Sequence, residues 1–419
     1  YYNQKLCKLS EMVFLAILGL YIFYLTILTS TLNLGFSSNT EPVLLAALAI
    51  TGVVHLIYLF ISEKRERKSL LVIVLFAALM AADWMMVYRN DGYNFLLFFA
   101  VLTIACVGCD YRKALKTYVI VVGLSYLVII FCALSDTIIN YVYASQYRMR
   151  SSWGICYPTD FATYLIYMLA AAWIAWDNLP DWFFLLPGTG ALLIAHFIAD
   201  SNTSSACSAL FLLLVLLNIL RNRGLFKKIG TLIEYVMCLA FPIFGLMTLG
   251  LTWLYHHGNP FGVAANTFLH SRLVYSLNAY DLWGFKLFGS PLTQIGGGFS
   301  LIHRAGYNFV DITYMLILLR YGVVTFVFLS ILWMLMSWKA VRTGERRLLY
   351  VLFLIAFHCI SEHHFTEVNY NLLLVLPFAV LYPALSRPAV GDTKQVESLE
   401  DTKKRHLSAA VLTVVIAFI

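Results

Sequence analysis

The residues best suited to chemistry gather late in the chain. Ser361-Glu362-His363-His364 sets a carboxylate beside two imidazoles, Glu367 and Asn369 follow closely, and Asp311 adds a second carboxylate upstream. A carboxylate or a histidine within reach of a hydroxyl can take its proton as a general base. Arginines accompany them: Arg148, Arg150, Arg272, Arg304 (preceded by His303) and Arg320. A guanidinium fork matches the oxygens of a phosphate and can hold an anion where negative charge develops. Proton abstraction beside a held anion is therefore the chemistry these types allow. Glu362 and His363 could equally pair with each other, or with Arg320, and merely tie helices together.

The elements that must position these groups are membrane helices. Of 419 residues, 61% are hydrophobic and 12% charged, with a mean hydropathy of +0.79. Soluble proteins average roughly 45–50% apolar and ~25% charged, so a soluble globular chain, a disordered chain and a nucleic-acid binder are all excluded. A bilayer core needs about 20 apolar residues per helix. Such runs lie near 11–32, 42–61, 70–88, 93–109, 117–134, 159–176, 182–199, 206–220, 231–254, 312–338, 347–361 and 370–385, and a thirteenth begins near Leu407. Alternating from a cytoplasmic N-terminus places 22 of the 29 lysines and arginines inside, as the positive-inside rule requires. The expectation is an all-α polytopic protein of 12–13 transmembrane helices, forming one transmembrane domain over 1–419, with a cytoplasmic segment at 386–406. No cleavable signal peptide is evident in the first apolar run. The Cys106-x-x-Cys109 pair has no second pair to complete a zinc site, and the cysteines imply no disulfide framework.

Two connections on the outer side are long, about 135–158 and 255–311. Long loops in compact domains are usually functional. His256, His257, His270, His303, His363 and His364 fall on this side, with six of the seven remaining basic residues. Within Asn266–Gly289, the residues Leu269, Leu273, Leu277, Tyr280, Gly284 and Phe288 follow a three-to-four spacing. This predicts an amphipathic surface helix with Asn266 as its N-cap and Arg272 off the apolar stripe, towards water. Gly296–Gly298 lacks the Lys-Ser/Thr of a phosphate-binding loop and reads as a hinge. Arg320 lies about 13 Å deeper than Asp311 at 1.5 Å per residue, where an arginine must face the bundle interior or a wet cavity.

Four segments resemble the bacterial repeat-unit polysaccharide polymerases (Wzy-type), within the superfamily that includes the O-antigen ligases, and most closely the Gram-positive capsular and exopolysaccharide branch. Arg150-Ser-Ser-Trp-Gly-Ile-Cys-Tyr-Pro158-Thr-Asp-Phe-Ala is similar to an Arg-x-x-x-Gly-Phe-x-x-Pro-x-x-Phe segment. Asp200-Ser-Asn-Thr stands where Asp-x-Arg-Thr is usual, with Asn202 replacing the arginine. His270-Ser-Arg272-Leu, Phe288-Gly289 and Gly296–Gly298 resemble the start of the signature loop. Asp311-Ile-Thr-Tyr314 with Gly322, then Ser361-Glu362-His363 and Tyr370-Asn371, resemble its end, and Asp311 stands where the ligases place a histidine.

The resemblance implies a GT-C-like glycosyltransferase in the bacterial cytoplasmic membrane, with its active site extracytoplasmic. It would join undecaprenyl-pyrophosphate-linked oligosaccharide donor and acceptor units, with a chain-length regulator as a further partner. Expected catalytic residues are Asp311, Glu362 and His363. Expected substrate-binding residues are Arg272, Arg150, Arg304, His303, Arg148, Arg320 and Tyr314. No Asp-x-Asp motif sits on the outer face, so no metal and no cofactor is expected. An O-antigen ligase-like transferase and a flippase for lipid-linked sugars are the competing readings. A transporter predicts inverted repeats and ionisable groups near a midplane site, and neither stands out in this sequence.

Overall fold

A computed structural model describes residues 2–63, 67–91, 95–145, 148–296 and 308–381. Five helices open the chain: α1 (Tyr2–Leu28), α2 (Thr40–Glu63), α3 (Arg67–Asp91), α4 (Phe95–Ala105) and α5 (Tyr111–Leu134). A two-stranded antiparallel hairpin follows, β1 (Val142–Ser145) paired with β2 (Arg148–Ser151) so that Tyr143 stands opposite Arg150. Then come α6 (Pro158–Ala175), α7 (Leu185–Leu193), α8 (Asn202–Asn222), α9 (Lys227–Met237) and α10 (Ala240–His256). The loop region holds α11 (Pro260–Phe268) and α12 (Arg272–Trp283), and the chain continues with α13 (Thr313–Leu316), α14 (Gly322–Thr343), α15 (Arg346–His358) and α16 (Leu376–Leu381).

Seven helical stretches among the described residues are long and apolar enough to cross a membrane: Lys8–Leu28, Thr40–Phe60, Leu71–Tyr88, Tyr111–Leu134, Asp181–Ile198, Asn202–Asn222 and Thr313–Thr343. An eighth span results if α9 and α10 are counted together across their 60° bend. The twelve apolar runs of the sequence therefore do not become twelve long helices. The run at 93–109 is the eleven-residue α4, about 16 Å long, and 347–361 is the thirteen-residue α15, about 20 Å, against a hydrocarbon core of ~30 Å. The run at 231–254 is broken between α9 and α10. The segment 386–406 and the run from Leu407 lie outside the described residues.

Helix ends follow local chemistry. Asp110 caps α5 by accepting the Arg112 amide at 3.0 Å, Ser201 caps α8, and Pro158 takes the first turn of α6, where its missing N–H is no loss. Helix α5 buries Tyr118, Val122, Tyr126 and Ile129 while exposing Leu124, Leu127, Val128 and Phe131. An apolar exposed face of this kind is suited to lipid rather than water.

The segment after α15 departs most from a span. Residues 359–375 form two short 3₁₀ turns, His364–Thr366 and Leu372–Val375, joined by irregular backbone that is mostly buried. Irregular backbone at membrane depth is tolerated only where protein satisfies its polar groups. Here the Tyr118 hydroxyl donates to the Tyr370 carbonyl at 2.7 Å, Thr103 donates to Leu374 at 2.9 Å, and the Asn371 amide donates to Phe365 at 3.0 Å. α4 and α5 thus hold this segment, and α6 joins them through Tyr164, whose hydroxyl accepts from the Asn369 amide at 2.7 Å. The segment carries Glu362, His363, His364 and Glu367.

Candidate active site

Arg272 organises the site. It is the first residue of α12, whose N-cap Ser271 has φ +69° and makes no side-chain cap bond. The cap comes instead from Asn266, whose Oδ1 accepts the Val274 amide at 3.1 Å. Asn266 lies inside α11 and not at the start of α12, which corrects the sequence assignment. The buried stripe of α12 is Leu273, Ser276 and Ala279, with Tyr280 exposed. It is turned from the expected Leu273–Leu277–Tyr280 line, and α12 packs on α10.

The Arg272 side chain turns inwards rather than to water and is only 13% exposed. Its Nη2 donates to Glu362 Oε1 at 2.7 Å, its Nη1 donates to Thr203 Oγ1 at 3.2 Å, and its Nε lies 3.7 Å from Asp311 Oδ2. Thr203 in turn receives the Ser361 hydroxyl at 3.3 Å. Asn202, standing where the resemblance leads one to expect arginine, meets the His270 ring at 3.0 Å. The 200–203 segment is thereby brought against 270–272 and 361–362, three stretches far apart in the sequence.

The two carboxylates differ. Glu362 is 2% exposed by side chain, held by Arg272, and its backbone carbonyl accepts from the Thr313 hydroxyl. Asp311 is 20% exposed, and its two contacts to charged partners are both 3.7 Å, one to Arg272 and one to His363 Nδ1. Such distances exceed a hydrogen bond. Burial pushes the Asp311 carboxyl up to about 6 against the pull of Arg272, and Glu362 adds to the rise.

The histidines are backed by further carboxylates. His363 Nε2 is 3.0 Å from Glu367 Oε1, and His364 Nε2 is 3.1 Å from Asp160 Oδ1. Burial alone would lower the His363 imidazole, but Glu367, Asp311 and Asp160 outweigh it and carry it to about 9. Burial likewise works to raise Glu367, yet the charge and hydrogen bond of His363 hold it below the ordinary glutamate value. Burial, with the charge of His363, keeps His364 well below its ordinary value. The two imidazoles stack at 4.2 Å, and Phe309 meets His363 edge-on at 4.9 Å.

Of the expected site residues, Arg272, Asp311, Glu362 and His363 come together. Arg150 sits beside the group, with its Nε donating to the Ala199 carbonyl at 3.0 Å and its guanidinium 5.3 Å over the Tyr157 ring. It also acts electrostatically on Asp160. Arg148 pairs with Ser145 at the turn end of the hairpin, and its side chain, like His303, Arg304, Gly297 and Gly298, lies outside the described residues. Arg320 is half-buried in the π turn Ile317–Tyr321. Tyr314 stands apart from the group: it is fully buried, stacks edge-on with Phe241 and donates to the Ala356 carbonyl at 2.7 Å. That makes it a tie between α13 and α15, turned into the core rather than towards a ligand.

Asp160 and Thr203 are site residues that the sequence assignment lacks. Asp160 had one available signal, a lone carboxylate in the first turn of an otherwise apolar helix. No protein-family model, no curated protein and no solved structure matches this chain.

Proposed function

We propose that the chain is a membrane glycosyltransferase that joins undecaprenyl-pyrophosphate-linked oligosaccharide repeat units into polysaccharide, with the site above on the extracytoplasmic side. The observation that supports it best is one guanidinium, Arg272, gripped between two carboxylates of unequal exposure. An arginine has five N–H donors, so the contacts to Glu362 and Thr203 leave one N–H on each terminal nitrogen for phosphate oxygens.

On this reading Asp311 is the base. The acceptor sugar hydroxyl gives its proton to Asp311, and its oxygen forms the new bond to the donor's anomeric carbon. The bond from that carbon to the pyrophosphate oxygen breaks, and the electron pair leaves with undecaprenyl pyrophosphate. Arg272, with Arg150 and Arg304 as helpers, stabilises the charge that develops there. Glu362, buried and hydrogen-bonded, is a positioning residue that fixes the arginine fork. The looser contacts of Asp311 leave its oxygens able to accept a proton from a substrate.

The test is genetic and chemical. A host deleted for this chain accumulates single lipid-linked repeat units on the outer leaflet and makes no polymer, and the restored chain removes them. Accumulation on the inner leaflet instead points to the flippase. Polymer that still forms but stays on its lipid points to the ligase-like transferase.

A further inference from the structure

The two imidazoles of the turn after α15 are dressed as metal ligands usually are. A metal-bound histidine almost always presents its other ring nitrogen to a carboxylate or carbonyl, which fixes the tautomer and aims the free nitrogen. His363 has Glu367 on its Nε2 at 3.0 Å, and His364 has Asp160 on its Nε2 at 3.1 Å. Both Nδ1 atoms are buried and neither has a hydrogen-bond partner. The His364 side chain is 0% exposed, so no water shell serves that nitrogen. A buried ring nitrogen left unpaired, as donor or as acceptor, is destabilising, and on His363 the ion would take the place of a proton.

Distances and charge agree, and a turn of the two rings out of their 4.2 Å stack lets both Nδ1 lone pairs converge on one ion. One donor atom from each of Glu362, His363 and His364 lies within 4.8 Å of the others. His364 Nδ1 stands 3.9 Å from Glu362 Oε2. That is too long for a hydrogen bond, yet close to the ~3.4 Å that separates two ligands on a tetrahedral ion with bonds of about 2.1 Å. Arg272 engages the other oxygen, Oε1, so Oε2 remains for a second cation. Asp160, Asp311, Glu362 and Glu367 converge here, and even with Arg272 and a protonated His363 counted against them the carboxylates are in the majority. A buried surplus of negative charge is offset most directly by a bound cation. Two imidazoles with a carboxylate suit Zn²⁺ and its neighbours, whereas Mg²⁺ and Ca²⁺ prefer oxygen alone.

We propose that Glu362, His363 and His364 bind one divalent cation of the Zn²⁺ class, with Asp160 and Glu367 orienting the imidazoles and Asp311 bordering the position left open. The sequence gives no motif for such a site, because its donors are three consecutive residues whose orienting carboxylates lie elsewhere. Asp311 Oδ1 is 3.7 Å from His363 Nδ1, at ligand-to-ligand distance. If the transferase reading holds, an acceptor hydroxyl taking the open position meets its base there.

The experiment reads metal and not turnover, so failure of the transferase reading leaves it intact. The full chain in detergent is stripped with a chelator and dialysed against Zn²⁺. Metal analysis then counts the bound ion, and Co²⁺ substitution reports its coordination through visible absorption. The wild type holds one Zn²⁺ per chain, and its Co²⁺ form shows the intense bands of a four-coordinate site. Glu362→Gln and His364→Gln lose the ion, Asp160→Asn weakens affinity by about 10–100-fold, and Asp311→Asn keeps it. His363→Gln, at a partly exposed position, carries the same expectation should His364→Gln fail to fold. Substoichiometric zinc in the folded wild type, selective binding of Mg²⁺ or Ca²⁺, or full occupancy in Glu362→Gln and His363→Gln would overturn the site. Loss of the ion in Asp311→Asn would overturn the three-ligand assignment.

Discussion

The 21 residues of α8 make a rod of about 30 Å, and charge is handled differently at its two ends. At the C-terminal end, Arg221 donates to both oxygens of Glu234 at 3.0 and 3.1 Å, and Tyr350 and Arg346 reach the same carboxylate. Nearby, Arg347 meets Asp181 at 2.8 Å, and Asp181 also accepts from Trp173, Asn218 and Asn222. Arg112 pairs with Asp177 and Glu345, and Lys113 with Glu11. Acid and base are matched there at hydrogen-bond distance. At the N-terminal end, where Thr203 meets Arg272, carboxylates outnumber guanidinium groups, three charged contacts stretch to 3.7–3.9 Å, and two imidazole nitrogens lack a partner. A network of matched charges is rigid and leaves little to bind, and its unpartnered atoms, Asn218 Oδ1 and Arg112 Nε, are single atoms beside paired charges. The unsatisfied one is where a substrate or an ion can supply what the protein omits.

The largest expected effect breaks the frame of the site rather than its chemistry. Gly289 has φ +76°, and a Cβ there would lie 2.0 Å from the Arg320 carbonyl oxygen. Across from it Gly322, φ +93°, faces the Leu287 carbonyl at 2.3 Å from its own missing Cβ. Gly289→Ala should cost more than about 4 kcal/mol, since backbone cannot yield as a side-chain tip does, read as a collapse of thermal stability in detergent. A melting temperature within experimental error of the wild type would show that the 286–290 segment does not dock as described.

Next comes the matched end. Arg221→Ala leaves the buried Glu234 with only Arg346 and Tyr350 and should cost about 2 kcal/mol, below the range for a buried charge left wholly unpaired. Polymer formed per folded molecule should be unchanged. Normal stability with lost activity would reverse the roles of the two ends. Arg272→Lys sharpens the contrast, because it keeps the charge but loses the fork. Turnover should fall roughly 10²-fold, with little change in melting temperature. The smallest effect is that of Tyr314→Phe, which removes one buried hydrogen bond worth about 1 kcal/mol and should leave turnover as it was. A large activity loss in a stable Tyr314→Phe protein would restore this residue to the site.

Much of the site was legible in the sequence because its parts are unusual residues in apolar surroundings. Arg272, Asp311, Glu362 and His363 stand out for that reason, and they do meet. Asp160 and Thr203 lie inside segments the resemblance singles out, yet neither has an unusual residue type to mark a role, and only tertiary packing carries them to partners some 70 to 200 positions away. The long helices among the described residues number fewer than the apolar runs for a related reason. Hydropathy registers burial, and the irregular 359–375 backbone is as buried as any span. Nothing in its composition reveals that Tyr118 and Thr103 replace its helical hydrogen bonds. The orientation of α12 differs from the apolar spacing since two of its buried residues, Ser276 and Ala279, are small or polar and do not register in that spacing.

The most direct test of the contrast between the two ends compares Asp311→Asn and Glu362→Gln, both near-isosteric. Polymer formation is followed from undecaprenyl-pyrophosphate-linked repeat units accumulated in a host lacking this chain. Asp311→Asn should lower turnover by about 10²–10⁴-fold, the usual contribution of a general base, while its melting temperature stays that of the wild type. Glu362→Gln should fail as well, but with a weakened grip on Arg272 that shows as a lower melting temperature and a raised KM. If Asp311→Asn polymerises at the wild-type rate, Asp311 is a structural residue at the start of α13, and the unsatisfied end of the bundle is not a transferase site built on that base.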